Sequence, residues 1–172
     1  MIRLLNDETV GGLSIDLFYI PAPHVATFTK PVVTDAMPYA DRMTLTAVTP
    51  EATKGFKRLS VMVDENELSA LLVGNKGNKK PKVELDVLLP NFKKENIGFT
   101  IVHKNTPMIY AIKDSTGKFW VIGDLTGPAY FETADGKTGK KYEDNSGITM
   151  KISANTQLWA FDGAIVELED TP

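Results

Sequence analysis

Hydrophobic and polar positions alternate residue by residue along most of this chain. In "PKVELDVLLP", Val83, Leu85 and Val87 fall on one side and Glu84 and Asp86 on the other, as a strand with one buried face requires. "LSIDLFYIP", "DRMTLTAVT", "ELSALLV", "AYFETA", "GITMKISA" and "QLWAFDGAIVEL" read the same way, and "FKRLSVMVD" does so less regularly. In "IYAIKDSTGKFWVIGD", Ile109 to Asp124, two apolar runs flank a Gly-bearing polar turn, which predicts an antiparallel hairpin. A second hairpin is predicted where "ELSALLV" runs through "GNKGNKKP" into "PKVELDVLLP", because Gly74 and Gly77 tolerate positive φ. Its tip, residues 74–81, is basic and expected to be exposed. The pattern predicts an all-β fold, a mainly antiparallel β-sandwich or barrel with extended hairpin arms.

Two segments depart from the alternation. "NFKKENIGFTIVHKN", Asn91 to Asn105, follows Pro90, offers Asn91 as a cap and sets Phe92, Ile97, Phe99 and Ile101 near one face, which predicts one short α-helix. Gly98 and the run Thr100-Ile101-Val102 weaken it. "PAPHVATFTKPVVTDAMP" carries Pro21, Pro23, Pro31 and Pro38, which remove ladder donors, so a central strand is excluded there. An irregular arm or connection over residues 21–58 is expected instead, within a single domain of residues 1–172.

Composition narrows the classes of function. With 172 residues, 42% hydrophobic and 24% charged, the chain can bury one good core. Nineteen Lys and Arg against 22 Asp and Glu leave a net charge of −3, which gives no global attraction to nucleic acid or anionic membrane. The absence of cysteine excludes disulfides, thiolate metal sites and cysteine nucleophiles. "MIRLLNDETVGGLSIDLFYIP" lacks a long apolar stretch and a small-residue cleavage pattern, so a soluble protein made inside the cell is expected.

No stretch of the chain completes a known catalytic or ligand-binding motif. Gly136-Lys137-Thr138 has Phe131 where a phosphate loop needs its first glycine, and no G-x-G-x-x-G occurs. His24 and His103 are far apart in sequence and stand in no zinc-binding pattern. "DNSGITMKISAN" places Asn155 where a calcium loop needs its bidentate Glu. No serine occupies a G-x-S-x-G elbow, and Asp114, Asp124 and Asp162 flank turns, where Asp serves the backbone. No catalytic, cofactor-binding or metal-ligating residue is therefore assigned, and no enzyme is expected. Trp120, Trp159, Phe119, Phe131 and Tyr130 suit a base-stacking face, but the basic groove that such binding needs is missing, and aromatic residues at strand spacing read as core.

The order "VLLPNFKKENIGFTIVHKNTPMIYAIKDSTGKFWVIGDLTGPAYF", a Gly-rich connection, "NSGITMKISAN" and "LWAFDGAIVEL", together with the opening "GGLSIDLFYIPAPHV", resembles the tail-tube (major tail) family of bacteriophages, in particular the prophage-encoded versions of Bacteroidetes. The segment from Pro31 to Arg58 carries no part of that likeness. The resemblance implies a virion structural protein, assembled in the bacterial cytoplasm, whose partners are copies of itself and other tail proteins, with DNA passing through the lumen and no membrane. Lys76, Lys79 and Lys80 are then candidates for contact with a neighbouring subunit, and Glu84 and Asp86 for a polar lumen wall. The alternatives are another virion component, such as a tail terminator, connector or capsid decoration protein, and a β-barrel module binding carbohydrate or nucleic acid.

Overall fold

The structure is a computed structural model and describes residues 12–62, 64–139 and 146–167. Its strands are β1 (Leu13–Pro21), β2 (Val25–Thr29), β3 (Thr44–Leu45), β4 (Ala47–Pro50), β5 (Lys57–Ser60), β6 (Glu67–Val73), β7 (Lys80–Pro90), β8 (Met108–Asp114), β9 (Phe119–Ile122), β10 (Tyr130–Lys137), β11 (Gly147–Ala154) and β12 (Trp159–Phe161). A single α-helix, α1 (Lys94–His103), lies between β7 and β8 among the described residues. The strands form a six-stranded sheet in the order β3-β12-β9-β8-β1-β5, a four-stranded sheet in the order β10-β11-β7-β6 and a β2–β4 ribbon. The fold is the expected all-β, mainly antiparallel sandwich, and its sheets are open, not closed into a barrel.

Side-chain alternation sorts the strands into layers. Val83, Leu85, Val87 and Leu89 of β7 and Ile148, Met150, Ile152 and Ala154 of β11 meet Leu17, Tyr110, Ile112 and Ile122 of the larger sheet. The other face of that larger sheet is covered too: Phe18, Ile20, Ile109, Ala111, Val121 and Phe161 pack with Val25 and Val48 of the ribbon. Burial on both faces explains why β8 reads Met-Ile-Tyr-Ala-Ile without a polar break, whereas β7 and β11 alternate.

The predicted hairpin at Ile109 to Asp124 is formed by β8 and β9, paired from Tyr110↔Ile122 to Lys113↔Phe119. Asp114 ties its turn: Oδ1 accepts the backbone N–H of Thr116 at 2.8 Å and of Lys118 at 3.1 Å, and Oδ2 accepts Trp120 Nε1–H at 2.9 Å. Asp124 serves the next turn, as its sequence position suggested. Its Oδ1 accepts N–H from Thr126 and Gly127, and its Oδ2 accepts Thr156 Oγ1–H at 2.9 Å and lies 2.7 Å from Lys30 Nζ. Burial pushes this carboxyl up, but Lys30 and the turn donors outweigh that and hold it below the usual carboxylate range. Gly123 beside it has φ +87, and a Cβ there would lie 2.8 Å from Ala129 N and 3.0 Å from Met108 O, so only glycine lets these backbones cross. Asp162 makes no such turn hydrogen bond among the described residues.

Four sequence expectations are corrected. Asn91 does not cap the helix: it has φ +65, the cap position falls to Lys93, and Asn96 Nδ2 secures the entry by donating to Pro90 O and Asn91 O. Of the expected apolar helix face, Ile97 and Phe99 pack on the core, while Phe92 and Ile101 remain 41% and 59% exposed. The proline-rich stretch is not an irregular arm throughout, since the proline-free interval between Pro23 and Pro31 forms β2, which pairs with β4 in a ribbon. Finally, among the described residues "QLWAFDGAIVEL" supplies the three-residue β12 and an isolated parallel bridge of Glu167 with Phe56, because Asp162 and Gly163 end the alternation, and its Leu168 lies outside the described residues.

A candidate assembly surface

The four-stranded sheet buries one face and exposes the other. On its open face Lys82 Nζ lies 2.7 Å from Glu84 Oε1 and 2.9 Å from Glu132 Oε1, while Lys151 Nζ lies 2.8 Å from Glu84 Oε2 and 3.9 Å from Glu132 Oε2. The hydrogen bond from Lys151, then that from Lys82, holds the Glu84 carboxyl below the usual range, and the same contacts raise both lysines. Asp86 stands opposite Lys151 on one side and opposite Glu67 on the other, so two carboxylates face each other across β6 and β7. Glu84 and Asp86 thus share the polar face that alternation assigned to them. The lysines that compensate Glu84 come from β7 itself and from β11, distant in sequence.

Beyond the sandwich the β6–β7 hairpin continues to its tip. Gly74, with φ +111, starts the turn, and an added Cβ would stand 2.5 Å from Asn78 O. Asn78 N–H then donates to Asn75 O at 2.9 Å. Lys76 and Lys79 lie on this exposed turn, whereas Lys80 is the first residue of β7, opposite Val73. None of the three forms an ion pair among the described residues. Directly behind them Leu71, Leu72 and Val73 are 40%, 69% and 42% exposed.

Both edge strands of this sheet lack a second partner among the described residues. They are guarded differently. β10 carries Glu132, Asp135 and Lys137 and a bulge between Phe131 and Thr133, devices that discourage further pairing. β6 has Glu67 at its start, but its outer half, Ala-Leu-Leu-Val, has no charge, proline or bulge.

A second exposed apolar group lies in the loop between β2 and β3, where Val32, Val33 and Tyr39 are 82%, 57% and 78% exposed. Arg42 organises this loop, its guanidinium donating to the carbonyls of Thr34, Asp35 and Met37. The residues weighed as a stacking face are mostly interior: Phe119 and Trp159 are buried, Phe131 packs on Tyr110 and Phe99, and Trp120 is tied to Asp114. Only Tyr130 is exposed among them.

No group of three or more His, Asp or Glu residues arranged to hold a metal occurs among the described residues, and no helix there is long and apolar enough to cross a membrane. Comparisons with protein-family models, with curated proteins and with solved structures returned no match.

Proposed function

We propose that this chain is a structural subunit of a bacteriophage tail tube, a virion protein that assembles with its own copies into stacked rings around a DNA channel. The observation that carries this reading is the unguarded β6 edge with its exposed Leu71, Leu72 and Val73, a template for continued pairing that a lone domain normally blunts. Strand direction favours continuation by an identical subunit. All three pairings in the sheet are antiparallel, so β6 runs opposite to β10. A copy related by rotation about a tube axis offers its β10 to β6 in the antiparallel sense, and repetition closes a barrel without free edges.

The open face of the sheet suits a lumen. Its lysines and carboxylates interleave, so it offers no continuous cationic track to bind phosphates and hinder passing DNA. The loop carrying Val32, Val33 and Tyr39 supplies further apolar surface for a neighbouring subunit or another tail protein. Negative-stain microscopy of the purified protein tests the reading, with rings or hollow tubes as the expected result. Particles that stay monomeric at high concentration, with β6 amides exchanging as a free edge, would count against it.

A further inference from the structure

His24 and His103, unrelated by any sequence motif, meet at one cavity of about 270 Å³ between β1, β5 and the last turn of α1. Its polar wall is made by Tyr19, His24, Thr53, Lys54, Lys57 and His103, and no carboxylate lines it among the described residues. We propose that this cavity is a binding site for a small oxyanion, a phosphate group above all.

The wall is held by local structure. Lys57 is fixed opposite Tyr19 by the β1–β5 register. Glu51 N–H donates to His24 O at 2.9 Å and Lys54 N–H to Glu51 O at 3.0 Å, so the turn that carries Lys54, with Thr53 at φ +67, is tied to the backbone of His24. His103 is clamped by aromatic rings, its centroid 5.9 Å from that of Tyr19 and 5.0 Å from that of Phe99. Its Nδ1 is buried with no hydrogen-bond partner. A buried lone pair without a donor costs less than a buried N–H without an acceptor, so the proton belongs on Nε2, the nitrogen left to donate to a ligand.

The charge selects the ligand. Two lysines and no carboxylate among the described lining residues make the site unfavourable to a metal cation and favourable to an anion. Burial first, and then the Lys57 charge, holds His103 below the ordinary imidazole range, so the ring stays neutral more readily than a free imidazole. Ammonium groups on the wall give charge-assisted hydrogen bonds to oxyanions, and the flat rings of Tyr19 and the histidines leave room for an organic body attached to the phosphate.

Calorimetric titration of the whole protein at low ionic strength, with inorganic phosphate and separately with phenyl phosphate, tests the proposal. Saturable binding of one ion per chain is expected. Tighter binding of phenyl phosphate would mark an organic phosphate as the preferred occupant, and equal binding would mark the free ion. K54Q/K57Q should weaken binding about tenfold or more, K54R/K57R should retain it, and K76Q/K79Q at the distant hairpin tip should leave it unchanged. Should K54Q/K57Q not fold, K54Q alone, at an exposed turn, carries the same comparison. Absence of saturable heat with both anions, or equal loss from K76Q/K79Q, overturns the site.

Discussion

The β8–β9 and β6–β7 hairpins are built from similar strand-forming sequence, and they have opposite fates. In the β8–β9 hairpin both faces are covered by protein and the turn is knotted by Asp114, which receives the Thr116, Lys118 and Trp120 donors. In the β6–β7 hairpin one face is covered, the outer end carries exposed Leu71, Leu72 and Val73, and the tip lysines have no described partner. Period and propensity make both into hairpins. What separates them is how the turn is bonded and whether apolar residues persist past the point where the opposite sheet ends. The first hairpin is spent on the fold, and the second is left available for a neighbour.

Stability measurements can break this contrast. Ile112→Ala in β8 should cost about 3 kcal/mol in chemical denaturation, since a fully buried side chain leaves a cavity between two sheets. A loss under about 1 kcal/mol would mean the hairpin is not the centre of the core.

Asp124→Asn at the end of β9 should cost about 2 kcal/mol at neutral pH, because the Lys30 ammonium loses its carboxylate while the turn donors keep an acceptor. Asp124 also sets an acid limb. Its carboxyl lies lower in the folded chain than in the unfolded one, so its contribution is complete above the ordinary carboxylate value of about 4 and is lost as pH falls through the folded value. The Asn variant should show a shallower fall in stability over that acid range, and an unchanged slope would refute the assignment.

Tyr110→Phe should raise stability by about 1 kcal/mol, because the Tyr110 hydroxyl is buried without a partner. A lower melting temperature would show that the hydroxyl is satisfied. The smallest effect on the fold is expected at the other hairpin: K76E/K79E/K80E should change monomer stability by no more than about 0.5 kcal/mol. If the chain assembles as proposed, the same variant should slow or abolish tube formation, since rim charges guide association. Tubes growing at an unchanged rate would show that the tip is a solvated loop.

Much of the architecture was legible because alternation encodes it. "LSIDLFYIP", "ELSALLV" and "GITMKISA" coincide with β1, β6 and β11 from end to end. Less legible were features decided by tertiary context. β2 hides between prolines because a ribbon strand of five residues needs only a short proline-free interval. Asn91 was read as a cap from its place before the helix, but the chain there turns into positive φ, with Asn91 N–H bonded to Ser146 O across the sheet end. The polar face was visible as Glu84 and Asp86, while its neutralisation by Lys151 depends on the β7–β11 register. The meeting of His24 with His103 left no trace in spacing, because it arises from α1 laying its last turn beside β1.

The insertion of β12 between β9 and β3 has a consequence for the order of events during synthesis. Trp159, Ala160 and Phe161 link β9 to β3 in the larger sheet, and the β12–β3 pairing is parallel, joining segments from opposite halves of the chain. Such distant pairings are slow to form, because a long loop must close before any contact rewards it. The ribosome therefore releases the β6–β7 hairpin, with its adhesive edge, well before the strand that completes the larger sheet. If copies pair through this edge as proposed, that interval is when premature joining of unfinished chains on a polysome would compete with folding, and like charges at Lys76, Lys79 and Lys80 would oppose it.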